Sequence, residues 1–399
     1  MKIAYLIPEF PGQTHVFIWR EISHLREWGL DIALFSTRRP DDLVRARHSF
    51  AAEAERETTY LWPASPTKIL MALAWAIVRH PIGFLRAAYL GAILPVDRSA
   101  LPLLIPACLM ARHCAKLKID RLHSHMPASS TVICMMVKRL LGLPYSMTLH
   151  GNLNLWGGAM AEKFADADFT IVVAQWLLDR IRREFPHFSP TKFVLASMGV
   201  DTQRWIAGQR SGHDGLTILT VGRLNFAKGH DLILRAMKLV ADKGSLVTLR
   251  IAGAGKEAQN LLALAQELGN SNRVTFLGSI SEDAVIAEMN SADLFVLATR
   301  DEAIGVAYME AMAMELPVIG TTVGGVGELI TSGHDGILVP PDDPPALAAA
   351  IAQLAVDPAR RAQLGKSARD TVSSRFDSRI GAAAVYQRFT GQSPPAKHS

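Results

Sequence analysis

In the stretch ATRDEAIGVAYMEAMAMELPVIGTTVGG, which begins at Ala298, two acids, Glu302 and Glu310, have seven residues between them, Gly305 and Val306 included. Strand-like residues Leu294, Phe295, Val296 and Leu297 come before, and a helical run over 307–314 follows. In an open parallel sheet, ligands bind beyond the carboxyl ends of the strands, where loops enter helices. Gly305 lets a backbone approach a ligand closely, and the helix start behind it offers free N–H groups and a positive dipole end. That arrangement suits a diphosphate. Glu310, about a turn into the helix, can accept two hydrogen bonds from a ribose diol, and Glu302 on the loop can accept hydroxyls of an attached sugar. The plain alternative, two solvated surface acids, fits Glu310 poorly because Met309, Ala311 and Met312 flank it.

A second constellation is VGRLNFAKGHDLILRA. A buried strand ends at Val221 and Gly222, Arg223 and Lys228 flank a loop, and a helix follows Gly229. Two cations at a strand's carboxyl end, beside a helix N-terminus, can hold a leaving diphosphate. The G-x-x-x-x-G-K-[ST] order of a nucleotide-triphosphate loop is not met. Arg223 and Lys228 alone would be uninformative; beside the two glutamates they are specific.

Other polar positions are weighed against ordinary structural roles. His150 closes the strand YSMTLH, and Gly151 relieves the backbone after it, so its imidazole is expected to point into an interdomain cleft. The other possibility is a satisfied structural histidine. His123 and His125 in RLHSHM have no acid or cysteine at ligand spacing, which favours structural roles over metal binding. Asp166 and Asp168 resemble a D-x-D metal motif, but ADADFTIVVAQ is echoed by NSADLFVLATR, so Ala-Asp reads as a polar corner feeding a buried strand. AGAGKEAQ offers Gly253 and Gly255 after a strand without the third glycine of a dinucleotide fingerprint. A nicotinamide enzyme is a poor fit, though Gly253 suits a loop facing a base or ribose. Gly12 in PEFPGQTHVF lies after the first strand, where a loop can close on a ligand.

These residues need two series of strands and helices to hold them. KIAYLIP, DIALFS, RLHSH, YSMTLH, FTIVVAQ and KFVLAS make the first, with helices expected over 14–28 and 130–141 and a largely helical apolar stretch over 67–117. LTILTVGR, VTLRIAG, VTFLG, LFVLAT, PVIGTT and GILVPP make the second. Apolar runs of this length alternating with helices indicate α/β domains with parallel sheets covered on both faces. The expectation is two doubly wound domains, 1–207 and 208–376, facing across a cleft and linked near 205–215. A helix over 377–391 should return to the first domain, and 392–399 should form a disordered tail.

With 399 residues, 49% hydrophobic and 20% charged, the chain has ample material for two cores. The three cysteines, Cys108, Cys114 and Cys134, form neither a C-x-x-C pair nor an even set and read as buried thiols in a reducing compartment. The start MKIAYLIPEF lacks signal-peptide features, and the apolar run ILMALAWAIV is too short to span a bilayer. A cytoplasmic protein is expected. The net charge of +5 is uneven: 1–207 carries 24 Lys and Arg against 17 Asp and Glu, and 208–399 carries 18 against 20. The basic first half can meet an anionic membrane face or acceptor, or it is ordinary solvated charge. No basic block interleaved with aromatics points to nucleic acid.

Together the motifs resemble the retaining family 4 glycosyltransferases of the GT-B fold, over nearly the whole chain and most strongly over 216–341. The E-x7-E pattern carries the resemblance, with EAMAMELPVIGTTVGGVGELI, VGRLNFAKGHDLIL, SMGVDTQRW and GILVPPDDPPALAAAI. IPEFPGQTHVFIWREISHLREWG is similar to members that build bacterial exopolysaccharides and surface glycans. The resemblance implies that Glu310 binds ribose, Glu302 the donor sugar, and Arg223 and Lys228 the diphosphate. Gly222, Gly253, Gly305 and Val306 would line the donor site, His150 would lie near the transferred sugar, and Gly12 would sit in a loop over the donor. It also implies a metal-independent enzyme without a cofactor, moving a hexose from a UDP-sugar, or a GDP-sugar, to a growing lipid-linked glycan. The leaving phosphate would help to deprotonate the acceptor on the same face. Two departures stand out. The chain reads Glu302-Ala303-Ile304-Gly305 where the family reads Glu-Gly-Phe-Gly, and Asn152 and Asn154 follow His150 in place of an aspartate. A sugar-nucleotide epimerase of the same fold, or a non-catalytic sugar-nucleotide-binding partner, are the alternatives.

Overall fold

The computed structural model describes residues 1–12, 14–41, 48–208 and 215–395. The chain divides into two compact units. One holds most of the chain up to Ala196 and again from Ala382; the other holds Ser197–Gly381.

The first unit is built on seven parallel strands: β1 (Lys2–Glu9), β2 (Asp31–Arg38), β3 (Thr59–Trp62), β4 (Arg121–His125), β5 (Tyr145–Leu149), β6 (Thr170–Val172) and β7 (Phe193–Leu195). Their order is β3-β2-β1-β4-β5-β6-β7, so the winding reverses between β1 and β4. Alternation along β1 shows both faces covered. Ala4 and Leu6 enter one buried cluster with the helix Ser129–Leu141, while Ile3, Tyr5 and Ile7 enter another with the helix Val16–Glu27. Ala382, Val385, Tyr386 and Phe389 of the last helix belong to that second cluster.

The second unit has six parallel strands: β8 (Leu216–Val221), β9 (Val247–Ala252), β10 (Val274–Gly278), β11 (Leu294–Val296), β12 (Val318–Thr321) and β13 (Ile337–Val339). Their order, β10-β9-β8-β11-β12-β13, reverses between β8 and β11. Leu232, Ile233, Ala236, Met237 and Val240 of the helix His230–Ala241 supply its apolar stripe to the core.

Four expectations change. The division between units falls after Ala196, not after Ala207. The reason is local bonding: Val200 bridges to Asp377, and Arg369 donates to the carbonyls of Thr202 and Trp205, tying 200–205 to the second unit. Trp205, expected in a linker, is buried; residues 209–214 of that linker lie outside the described residues. The later crossing comes after Gly381, not after Phe376. Of the expected tail, 396–399 also lie outside the described residues. Strand β3 was not expected, because TYLW is a short edge strand ended by Pro63. The apolar stretch over 67–117 forms three helices, Pro66–Arg79, Pro81–Ile93 and Leu104–Leu117, the first two bent by 116° at His80.

Candidate functional site

In the second unit the expected residues collect at the carboxyl edge of the sheet, where β8 and β11 meet and the winding reverses. That is the place an open α/β sheet offers to a ligand. Gly222 and Arg223 follow β8, Gly253 follows β9, and Glu302 lies on the loop after β11. Gly305 precedes the helix Val306–Ala313 with φ of +92°, a left-handed conformation open to glycine, and a Cβ there would press on the Tyr308 ring. Glu310 faces inward on that helix and is 8% exposed, so the plain surface-acid alternative is excluded for it.

The loop that carries Lys228 is fastened to the strand exit that carries Glu302. Arg300 N–H donates to the Ala227 carbonyl at 2.7 Å, Thr299 Oγ1 donates to the same oxygen at 2.9 Å, and Arg300 Nη1 donates to the Phe226 carbonyl at 2.8 Å. The Arg300 guanidinium also lies 4.0 Å over the Phe226 ring and makes a two-pronged pair with Asp231. Burial would raise the Asp231 carboxyl, but the Arg300 bonds outweigh it and hold the group below its ordinary range. With the loop fixed, the Lys228 ammonium bonds the Glu302 carboxylate, the two side chains being 18% and 13% exposed. The Glu302 carbonyl accepts from Gly325 N–H, so the TTVGG turn holds this loop from its other side. Tyr308 O–H donates to the Leu297 carbonyl beneath the helix start; burial, then the charge of Glu302, pushes its phenol well up.

Arg223 is exposed and has no side-chain partner among the described residues. Gly253 has a structural reason for being glycine: a Cβ there would come 1.8 Å from the Gly222 carbonyl oxygen. The loops after β8 and β9 are therefore packed on one another. Sequence reasoning passed over His230, the first residue of the helix behind Lys228. It is buried, neither ring nitrogen has a hydrogen-bond partner among the described residues, and burial with the Lys228 charge pushes its imidazole down to about 4. Its KGHD context gave no signal beyond that of a helix start.

Gly12 and His150 belong to the first unit, at the carboxyl edge of β1 and β5. Gly12 N–H donates to His15 Nδ1 at 3.2 Å, and the Phe17 ring lies 4.9 Å from that of His150. Burial, then the charges His125 and His15 would carry, hold His150 well below its ordinary value, so it stays neutral near pH 7. Its Nε2 lies 2.8 Å from His125 Nδ1. Asn152 and Asn154, which replace the expected aspartate, both accept from Arg180.

His123 is fully buried, with Ser146 and Thr148 hydroxyls each 2.9 Å from a ring nitrogen, a structural arrangement. His125 differs. The acid that spacing did not reveal is Glu21 of the helix Val16–Glu27, which with His123 and His125 brings three potential ligand atoms within 4.8 Å of one another. Asp166 pairs with Arg139 and Asp168 with Arg121, and Asp293 accepts from Thr217 N–H. All three serve strand entry rather than a metal.

Two family descriptions match the chain almost end to end: "Glycosyltransferase Family 4" over residues 14–204 and "Glycosyl transferases group 1" over 201–371. A glycogen synthase of Mycobacterium tuberculosis is 32% identical over 193 residues, 48% of this chain and 46% of its own length. The chain thus spans about half the length of the curated relatives it first matches. Among solved structures, a sucrose-phosphate synthase from Thermosynechococcus elongatus superposes with a TM-score of 0.76 at 20% identity, covering 98% of each chain. HepE of Anabaena, solved with UDP and glucose, gives 0.74 at 16% identity over 98% of this chain and all of that one. At these identities the two likenesses establish the fold.

Proposed function

Since the chain belongs to the retaining family 4 glycosyltransferases, we propose that it moves a hexose from a nucleotide diphosphate sugar, UDP-linked in preference to GDP-linked, to a growing lipid-linked glycan of a surface or exopolysaccharide type. One observation carries the reading: Lys228 and Glu302 meet beside the Gly305 helix start, with Glu310 buried behind them, where the second sheet reverses its winding.

In this reading Glu310 receives the ribose hydroxyls and Glu302 those of the sugar. Arg223, Lys228 and the N–H groups from Val306 onward meet the charge that grows on the leaving diphosphate, without a metal or cofactor. Gly222, Gly253 and Gly305 keep the backbone low around the donor. His150 is assigned to the transferred sugar and Gly12 to the loop over the donor. The preference for UDP is supported by the UDP bound in the related fold of HepE. We further place the chain in the cytoplasm, peripheral to a membrane that carries the acceptor. That placement is supported by the exposed apolar helices Pro66–Arg79 and Pro81–Ile93. No single helix among the described residues is long and apolar enough to cross a membrane.

Calorimetric binding of UDP, GDP, CDP and NAD in the absence of metal, to the wild type and to Glu310→Ala, tests the donor site. Two hydrogen bonds to a carboxylate, at ~1.5–3 kcal/mol each, are at stake. The expected result is tight binding of one nucleoside diphosphate, weakened on the order of a hundredfold in the variant. Equal binding by both proteins, or binding of NAD alone, overturns the assignment.

A further inference from the structure

β4 carries His123 and His125 on one face of the first sheet, as alternate residues of a strand must be. That face also holds Tyr5 of β1 and is covered by the helix Val16–Glu27, which presents Glu21. The result is a file of polar groups through a buried layer. Tyr5 O–H donates to Glu21 Oε1 at 2.9 Å, Glu21 Oε1 lies 3.6 Å from His125 Nε2, and His125 Nδ1 lies 2.8 Å from His150 Nε2. His125 is 0% exposed, and its Nε2 has no hydrogen-bond partner among the described residues, the Glu21 carboxylate being the charge it faces.

We infer that Glu21 and His125 are positioning residues that fix His150 in the tautomer carrying its proton on Nε2. The proton count between the two rings decides it. A bare nitrogen lone pair facing a carboxylate in a buried layer is repelled, whereas an N–H is attracted. His125 therefore carries its proton on Nε2, toward Glu21, and its Nδ1 is bare. The 2.8 Å contact then requires its one proton to come from His150 Nε2. His150, neutral, has its lone pair on Nδ1. The second nitrogen of an imidazole is set by the bond the first one makes, and here that bond leads through His125 to an acid 104 positions away from His125 in the chain. His123 is not part of the file, since both its nitrogens are taken by Ser146 and Thr148.

The tautomer follows from geometry alone. Its consequence for turnover rests on the reading of function given above: on the side of the ring turned away from His125, the His150 nitrogen accepts a proton rather than donating one. Glu21 and His125 touch no substrate in this scheme, so their loss acts through His150.

Nitrogen NMR of the full-length protein labelled with 15N-histidine reads the tautomer directly, with the His150 signals identified by their loss in His150→Gln. The expected wild-type spectrum has a protonated Nε2 and a bare Nδ1 on His150. Glu21→Gln, which keeps shape but removes charge, is expected to give a mixture of the two tautomers. In a sugar-transfer assay the same variant is expected to lose about tenfold in kcat with donor KM within about twofold. A wild-type spectrum with the proton on Nδ1, or a Glu21→Gln spectrum identical to wild type, overturns the inference. So does a stoichiometric metal ion in the purified protein that leaves on Glu21→Gln, because the same atoms would then be a metal centre. Failure of nucleotide binding with the tautomer as expected would sink the functional reading and leave this inference standing.

Discussion

Replacing Glu302 by glutamine separates two jobs that one carboxylate performs. In the free chain Lys228 is already spoken for, bonded to Glu302 in a site where both side chains are less than a fifth exposed. A diphosphate that takes the lysine must draw it from this carboxylate or share it, with a second anion left nearby. A hydrogen bond between charged groups is worth ~1.5–3 kcal/mol, and the repulsion of two anions at short range adds to its loss. Solvent at the open edge of the sheet reduces both, which leaves a net opposition of about 1–2 kcal/mol. Glutamine keeps the shape and drops the charge.

Glu302→Gln is therefore expected to bind UDP without a sugar about tenfold tighter than the wild type, while sugar transfer falls because the hydroxyls lose their carboxylate partner. Titration calorimetry with UDP, at low and at 0.5 M salt, measures the first effect, and release of UDP in the presence of acceptor measures the second. The signs must be opposite. If the variant binds UDP no better than the wild type, Lys228 is not the cation that grips the diphosphate, and the assignment of this loop collapses.

His230 gives a stability signature. Its imidazole is pushed down to about 4 in the folded chain, against an ordinary 6.5, so the unfolded chain takes up the proton first as pH falls. The stability is whole above pH 6.5, and about 2–3 kcal/mol should be gone by about pH 4.5. Urea unfolding of His230→Leu should show a flatter decline over that range, and parallel curves would exclude His230 as the cause. For the membrane placement, flotation with phosphatidylglycerol vesicles at low salt should carry the wild type and leave Val78→Asp with Leu85→Asp behind. Failure of the wild type to float would remove the placement.

Most of the framework was legible because buried parallel strands write themselves as unbroken apolar runs. LTILTV and LFV needed no partner to be recognised. TYLW was missed because an edge strand of four residues has neither length nor alternation to show. The glutamates announced themselves by spacing on a single loop and helix. Lys228 was read beside them as a diphosphate cation, but its bond to Glu302 was not, since the two are 74 positions apart and only the winding reversal between β8 and β11 brings them together. The same limit explains His125. Ligand spacing searches one element at a time, and Glu21 arrives from a helix that follows a different strand.

The helices Pro66–Arg79 and Pro81–Ile93 show why composition alone could not separate core from interface. An apolar helix of a soluble core turns its large side chains inward. Here only some of them do, Leu73, Trp75, Phe84 and Leu90 being half-buried against the core. The buried positions are Ala72, Ala76, Ala87 and Gly91, whereas Leu70, Val78, Leu85 and Tyr89 are 66–75% exposed. Small residues at Gly83, Ala87 and Gly91 let the second helix lie close on Ser129–Leu141, where a Cβ on Gly83 would come 2.7 Å from the Arg139 carbonyl oxygen. Leu73, Trp75, Phe84 and Leu90 pack beside these small residues, and the remaining large side chains of both helices are left outside the core. The membrane placement proposed above gives them a role: between Glu57 and Asp97 the chain has no acid, and Lys68, Arg79 and Arg86 stand exposed among the apolar residues. Apolar groups ringed by cations alone match a lipid surface with anionic headgroups better than they match water or a neutral protein partner. A glycan that grows on a lipid would be met at that surface, which is why the acceptor proposed here and these exposed side chains belong to one account.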